Sequence, residues 1–88
     1  MTYFLKEMKT NERDELIEAI AEHLDTRDKR YMFLRIFFRD FVSRIQIEGS
    51  PMDTAWNIYS EFEKQQMDGS LMACINNTFD TDLLLSHK

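Results

Sequence analysis

Residues 31–45 read Tyr31-Met32-Phe33-Leu34-Arg35-Ile36-Phe37-Phe38-Arg39-Asp40-Phe41-Val42-Ser43-Arg44-Ile45, and the spacing of their apolar side chains decides the fold. At about 100° per residue, Tyr31, Leu34, Phe38, Phe41, Val42 and Ile45 fall within an arc of roughly 100°, the stripe that a helix turns to a core. Phe33 and Phe37 widen the arc on one flank. On the other flank Met32, Arg35 and Arg39 sit together, with Ile36 slightly beyond. A helix apolar over half its girth belongs near the centre of a small bundle, touching several neighbours. Thr26 is a natural N-cap, so the spacing predicts a helix from about Arg27 to Gln46, continuous or broken once inside. Phe33, Phe37, Phe38 and Phe41 are read as core first and as a ligand pocket second. Arg35, Arg39, Asp40 and Arg44 interrupt the stretch, so it cannot span a membrane.

The flanking segments are helical too. Upstream, Leu16, Ile17, Ile20 and Leu24 follow the 3.6-residue period, with Asn11 or Thr10 as the cap, and Glu15, Glu18 and Glu22 form an acidic ridge on the opposite side. Tyr3, Phe4 and Met8 suggest a short amphipathic turn at the start. Downstream, Gly49-Ser50-Pro51-Met52-Asp53 is a strong start signal: Ser50 caps, Pro51 takes the first helical position, and Asp53 suits the positive helix end. Met52, Ala55, Ile58, Tyr59 and Phe62 line one face of that helix. Trp56 lies at the edge of the face, where it plugs the core or anchors a partner. Gly69 is expected to stop the helix in a left-handed conformation. A further helix covers Leu71 to Asn77, and a last short piece Asp80 to Leu85. The result is an all-α bundle of about six short helices forming one domain over residues 1–88.

Composition agrees. Hydrophobic residues make up 43% of the 88, too many for a disordered chain, and one Val stands against eight Leu and seven Ile. Cys74 is the single cysteine, so no internal disulfide or multi-cysteine zinc site can form. The N-terminal residues lack the basic and apolar regions of a secretory signal, so a cytoplasmic protein is expected.

Candidate chemistry fails for lack of parts. Nucleophilic catalysis needs a nucleophile, a base and an orienting group, whereas the chain offers Cys74, His23 and His87 in unrelated settings. Cys74 reads as a small core residue, and His23 as a helix-end histidine favoured by the dipole. Glu18-x3-Glu22-His23 has no second histidine to close a metal site, and no glycine-rich phosphate loop exists. No enzyme activity, cofactor or metal is expected.

Charge is uneven. The chain carries net −5, but residues 1–26 are net −4, residues 27–44 net +4, and residues 45–88 net −5. Overall acidity argues against nucleic-acid binding. The basic segment either neutralises its packed neighbours or meets the acidic surface of another molecule.

The second half, from Ile47-Glu48-Gly49-Ser50-Pro51 through Ala55-Trp56-Asn57-Ile58-Tyr59 to Gly69-Ser70-Leu71-Met72-Ala73-Cys74-Ile75 and Asn76-Asn77-Thr78-Phe79, resembles the bacterial effector-associated and death-like domains of the death-fold superfamily. The first half agrees in type, and the proline common in the family's closing turn is absent. The resemblance implies a six-helix fold and a non-catalytic adaptor that assembles signalling, immune or cell-death complexes by homotypic docking. It assigns no interface residue. The charge pattern does: Arg35 and Arg39, one helical turn apart beside Met32 and Ile36, are expected to dock on the ridge Glu15, Glu18 and Glu22 of another copy or related domain, with Trp56 as a further anchor. The alternative is a small acidic inhibitor, antitoxin-like or phage-encoded, that covers a basic partner protein.

Overall fold

Helix α1 spans Thr10–His23, α2 Arg27–Phe37, α3 Pro51–Lys64 and α4 Asp68–Phe79, with a short 3-10 turn at Arg39–Phe41. The computed structural model describes residues 10–81. Among these residues there is no strand, and the α-helices number four rather than about six. The expected turn around Tyr3, Phe4 and Met8 lies outside the described residues. So does most of the expected Asp80–Leu85 piece, whose first residue instead takes a left-handed conformation that closes α4 (φ 59°, ψ 39°).

The start of α1 is earlier than either cap suggested, because Thr10 is already helical. Leu16, Ile17, Ile20 and Leu24 are buried as the periodicity requires, and Glu15, Glu18 and Glu22 are exposed. Thr26 caps α2, its Oγ1 accepting from the Lys29 N–H at 3.2 Å. Ser50 caps α3 in the same manner through the Asp53 N–H, with Pro51 at the first helical position.

Two expectations about breaks are corrected. The basic-apolar helix ends at Phe37. Phe38 leaves helical space (φ −141°, ψ 62°), and the chain continues in i→i+3 bonds, Phe41 N–H to Phe38 C=O at 2.9 Å and Val42 N–H to Arg39 C=O at 3.2 Å. The physical reason is the wide apolar girth. After the break, Phe38 meets Phe62 edge-on at 4.7 Å and Phe41 stacks on it at 4.2 Å, while Phe33 faces Phe79 at 6.1 Å. Gly69 is not a stop but lies in the first turn of α4. The left-handed residue between α3 and α4 is Gln66 (φ 59°), where the Met67 N–H bonds Phe62 C=O at 2.7 Å and the Gln66 N–H bonds Glu63 C=O at 2.9 Å. That pair of bonds is the Schellman closure.

The core lies where α1 packs along α3 and α4 closes against both. Leu16, Ile17 and Ile20 meet Ala55, Ile58 and Phe62, and Leu71 and Ile75 complete the cluster. From the α2 side Phe33, Leu34, Phe41, Ile45 and Ile47 join it. Thr54 is buried as well, its hydroxyl donating to the Ser50 carbonyl at 2.9 Å.

Candidate functional site

The pairing of charges settles how much of the basic segment is neutralised internally. Arg27 donates to Glu48 at 3.2 Å and lies 3.9 Å from Asp28, and Lys29 donates to Asp25 at 3.0 Å. The Lys29 ammonium holds the Asp25 carboxyl below the usual carboxylate range, through the hydrogen bond first and its charge second. Arg44 lies over the Phe41 ring at 5.9 Å. Arg30 is buried in the core, a position that the helical spacing did not indicate. Its Nε donates to the Leu24 carbonyl at 2.8 Å and its Nη1 to the Ile47 carbonyl at 2.9 Å. Burial draws its pKa down, but a guanidinium stays charged at any working pH. Among the described residues, Arg35 and Arg39 form no ion pair, and neither do Glu15, Glu18 and Glu22. Internal neutralisation therefore accounts for the N-terminal end of the segment and not for its C-terminal end.

Arg35 and Arg39 are both exposed, but they do not share one helix face. The break at Phe38 leaves Arg35 in the last turn of α2 and starts the 3-10 turn at Arg39. Beside Arg35, Met32 is 49% exposed, Ile36 62% and Phe37 46%. Phe37 is therefore no core residue: Phe33 and Leu34 occupy the buried side of α2, and Phe37 is left on its rim at 5.3 Å from Phe33. Met32, Phe33, Ile36 and Phe37 wall a hollow of about 480 Å³ between α2, the last turn of α1 and the end of α4. Its far wall is His23 stacked on Phe79 at 4.6 Å, with Glu22 and Lys29 at the rim. The volume lies in the range of sites that take a ligand or a buried side chain, about 300–1,000 Å³.

Trp56 is on the surface, 40% exposed, and not in the core. Ala55, Ile58, Tyr59 and Phe62 already fill the inner face of α3, and Trp56 falls one position outside it. The indole meets Tyr59 edge-on at 6.4 Å and is covered on one face by the Arg13 guanidinium at 5.5 Å. With Met52, also exposed, it lines a shallower hollow of about 180 Å³ beside Asp14, Ile17 and Glu18.

The structure thus divides the expected interface residues. Met32 and Ile36 line the α2 groove, with Arg35 next to them on α2 but outside its lining, and Glu22 stands on the opposite wall rather than on a separate acidic face. Glu18 goes with Trp56, while Glu15 is exposed on α1 and lines neither hollow. The sequence puts Phe37 in the core first and in a pocket second, and Met52 on the inner face of α3, whereas Phe37 walls the groove and Met52 is exposed beside Trp56; Phe79 and His23 as groove walls are not legible in it.

Chemistry in these hollows is sparse. Burial pushes the Cys74 thiol up, away from the reactive thiolate, and its Sγ lies 3.7 Å from Thr78 Oγ1. Among the described residues no group of three or more His, Cys, Asp or Glu side chains could hold a metal, and no helix is long and apolar enough to cross a membrane. Comparison with protein-family models, with curated proteins and with solved structures finds no match for this chain.

Proposed function

We propose that this chain is a non-catalytic protein-interaction module that docks through the α2 groove onto the acidic surface of a related helical domain or of a second copy. The observation that supports the reading is the conjunction at α2: three large apolar side chains open to solvent beside a hollow, with Arg35 and Arg39 forming no ion pair among the described residues. Exposed apolar groups with a charged rim are the composition of a docking surface, in which the apolar contact supplies affinity and the charges supply orientation and rate. The death-fold resemblance suggests the setting, a cytoplasmic adaptor that assembles signalling, immune or cell-death complexes by homotypic contact.

Sedimentation of the intact chain at low and high salt tests the reading. Association at low salt that weakens as salt rises, and is lost in Arg35→Glu/Arg39→Glu and separately in Glu15→Lys/Glu18→Lys, supports it. Association that survives both double reversals overturns the charge-complementary mode.

A further inference from the structure

The five exposed large hydrophobic side chains among the described residues fall into two groups. Met32, Ile36 and Phe37 border the α2 groove, and Met52 and Trp56 stand on α3 beside α1. The groups differ in shape. The first surrounds a hollow of about 480 Å³, whereas the second presents an indole over a hollow of about 180 Å³. They differ in sign as well. The first is lined by Glu22 and by Lys29, which Asp25 engages, while Arg35 flanks it on α2 and Arg39 follows past the break, both without an ion pair among the described residues. Beside the second stand Glu18, without an ion pair among the described residues, Asp14 at 3.9 Å from Arg13, and Arg13 itself over the Trp56 ring, a balance that is acidic by one charge.

We propose that a second copy of this chain occupies the groove, its Trp56 and Met52 entering between Met32, Ile36 and Phe37 while its Asp14 and Glu18 lie over Arg35. The inference rests on the docking reading above and adds the partner's face. Charge placement fixes the orientation. On the α1 wall Glu22 repels incoming carboxylates, and Lys29 at the rim is already engaged by Asp25 at 3.0 Å. Arg35, next to Ile36 on α2 and outside the hollow's lining, is the exposed cation beside the groove with no ion pair among the described residues. Tryptophan is among the residue types most enriched at positions that dominate interface energetics, and this indole is 40% exposed. Because groove and knob are different surfaces of one chain, the contact is heterologous and repeats head to tail.

Trp56 is the single tryptophan of the chain, so its emission reads this contact directly. As concentration rises from micromolar to about 1 mM, the span over which a weak contact forms, the emission should shift to the blue and become protected from acrylamide. Ile36→Glu, which charges the groove without touching a core residue, should abolish the shift. Glu18→Lys, which turns an attraction at the rim into a repulsion, should weaken association several-fold and reduce its salt dependence, whereas Glu22→Lys should not weaken it. Helical circular dichroism of each variant establishes that it folds. Association without any change in Trp56 emission, or weakened equally by Glu22→Lys and Glu18→Lys, overturns this inference and leaves the docking reading standing. A chain that stays monomeric throughout overturns the second copy as occupant and leaves only a different domain as partner.

Discussion

Arg30 shows how one side chain can tie a small core together without a salt bridge. It is 2% exposed and forms no ion pair among the described residues, although the Asp25 charge favours it from a distance; its N–H groups are met by the carbonyls of Leu24 and Ile47, with the Gly49 carbonyl at 3.5 Å. The Leu24 carbonyl lies at the negative end of α1, where a cation is favoured and an orphan acceptor needs a donor. One guanidinium therefore joins the end of α1, the first turn of α2 and the loop before α3. Arg30→Met keeps the length of the side chain and leaves two buried carbonyls unbonded, so it should destabilise by roughly 2–5 kcal/mol in urea unfolding. A loss under about 1 kcal/mol, the range of surface substitutions, would show the contacts to be incidental. Tyr59 sets a limit of a different kind. Burial first, and then the charges of Glu63 and Asp68, raise its hydroxyl from 10.0 to about 12. The folded chain holds that proton where the unfolded chain has lost it. Stability from this source is thus complete below about pH 10 and is lost as pH rises toward about 12. The urea midpoint of the native chain should drop between about pH 8 and about pH 11, and Tyr59→Phe should remove part of the drop.

The helix ends carry their own energetics. Gln66 sits in the left-handed region without being glycine, a conformation that costs an L side chain about 1 kcal/mol. Gln66→Gly should therefore stabilise by about 0.5–1 kcal/mol, less whatever the freer unfolded chain recovers, and thermal unfolding would show it. This position also marks where sequence reading stops working. The start of α3 was legible because Ser50, Pro51 and Asp53 act locally, through a hydroxyl, a fixed φ and a charge. Its end was not: Gly69, with open space around it and a helical backbone, carried the familiar stop signal, while tertiary packing of Met67 and Leu71 placed the turn three residues earlier at Gln66. The stripe of α1 was read correctly because period and burial coincide there. The break at Phe38 could not be placed, since four phenylalanines around one helix satisfy the periodicity either way, and only Phe62 and Phe79 on other helices decide which face each takes. Arg30 was hidden for a related reason, because a basic residue among basic residues looks solvated until a pair of unpaired carbonyls is folded over it. The candidate surface was half legible: Met32, Ile36, Arg35, Glu18 and Trp56 were named from the wheel and the charge split, but their division between two hollows depends on topology.

At the scale of the whole molecule, what matters is that groove and knob lie toward opposite ends of α1. His23 in its last turn lines the groove, and Asp14, nine residues earlier and roughly 14 Å along the axis, lines the knob. Surfaces displaced in this way cannot pair reciprocally in a two-fold dimer unless both contacts form at once. The proposed assembly is therefore open, its average mass growing with concentration, unless the rotation between copies closes a ring. Screening shortens it, because the Arg35 contact lies at a solvent-exposed rim and the Debye length is about 10 Å at 0.1 M salt. The arrangement also has a property that a symmetric dimer lacks. A chain with Ile36→Glu keeps its knob and loses its groove, and a chain with Trp56→Ala keeps its groove and loses its knob. Each alone should sediment as a monomer at concentrations where the native chain associates. Mixed in equal amounts, they should form a one-to-one pair and nothing larger, since the pair presents one spoiled groove and one spoiled knob at its free ends. Growth beyond the pair, or the absence of any pair, would show that the chain does not assemble head to tail through these two faces.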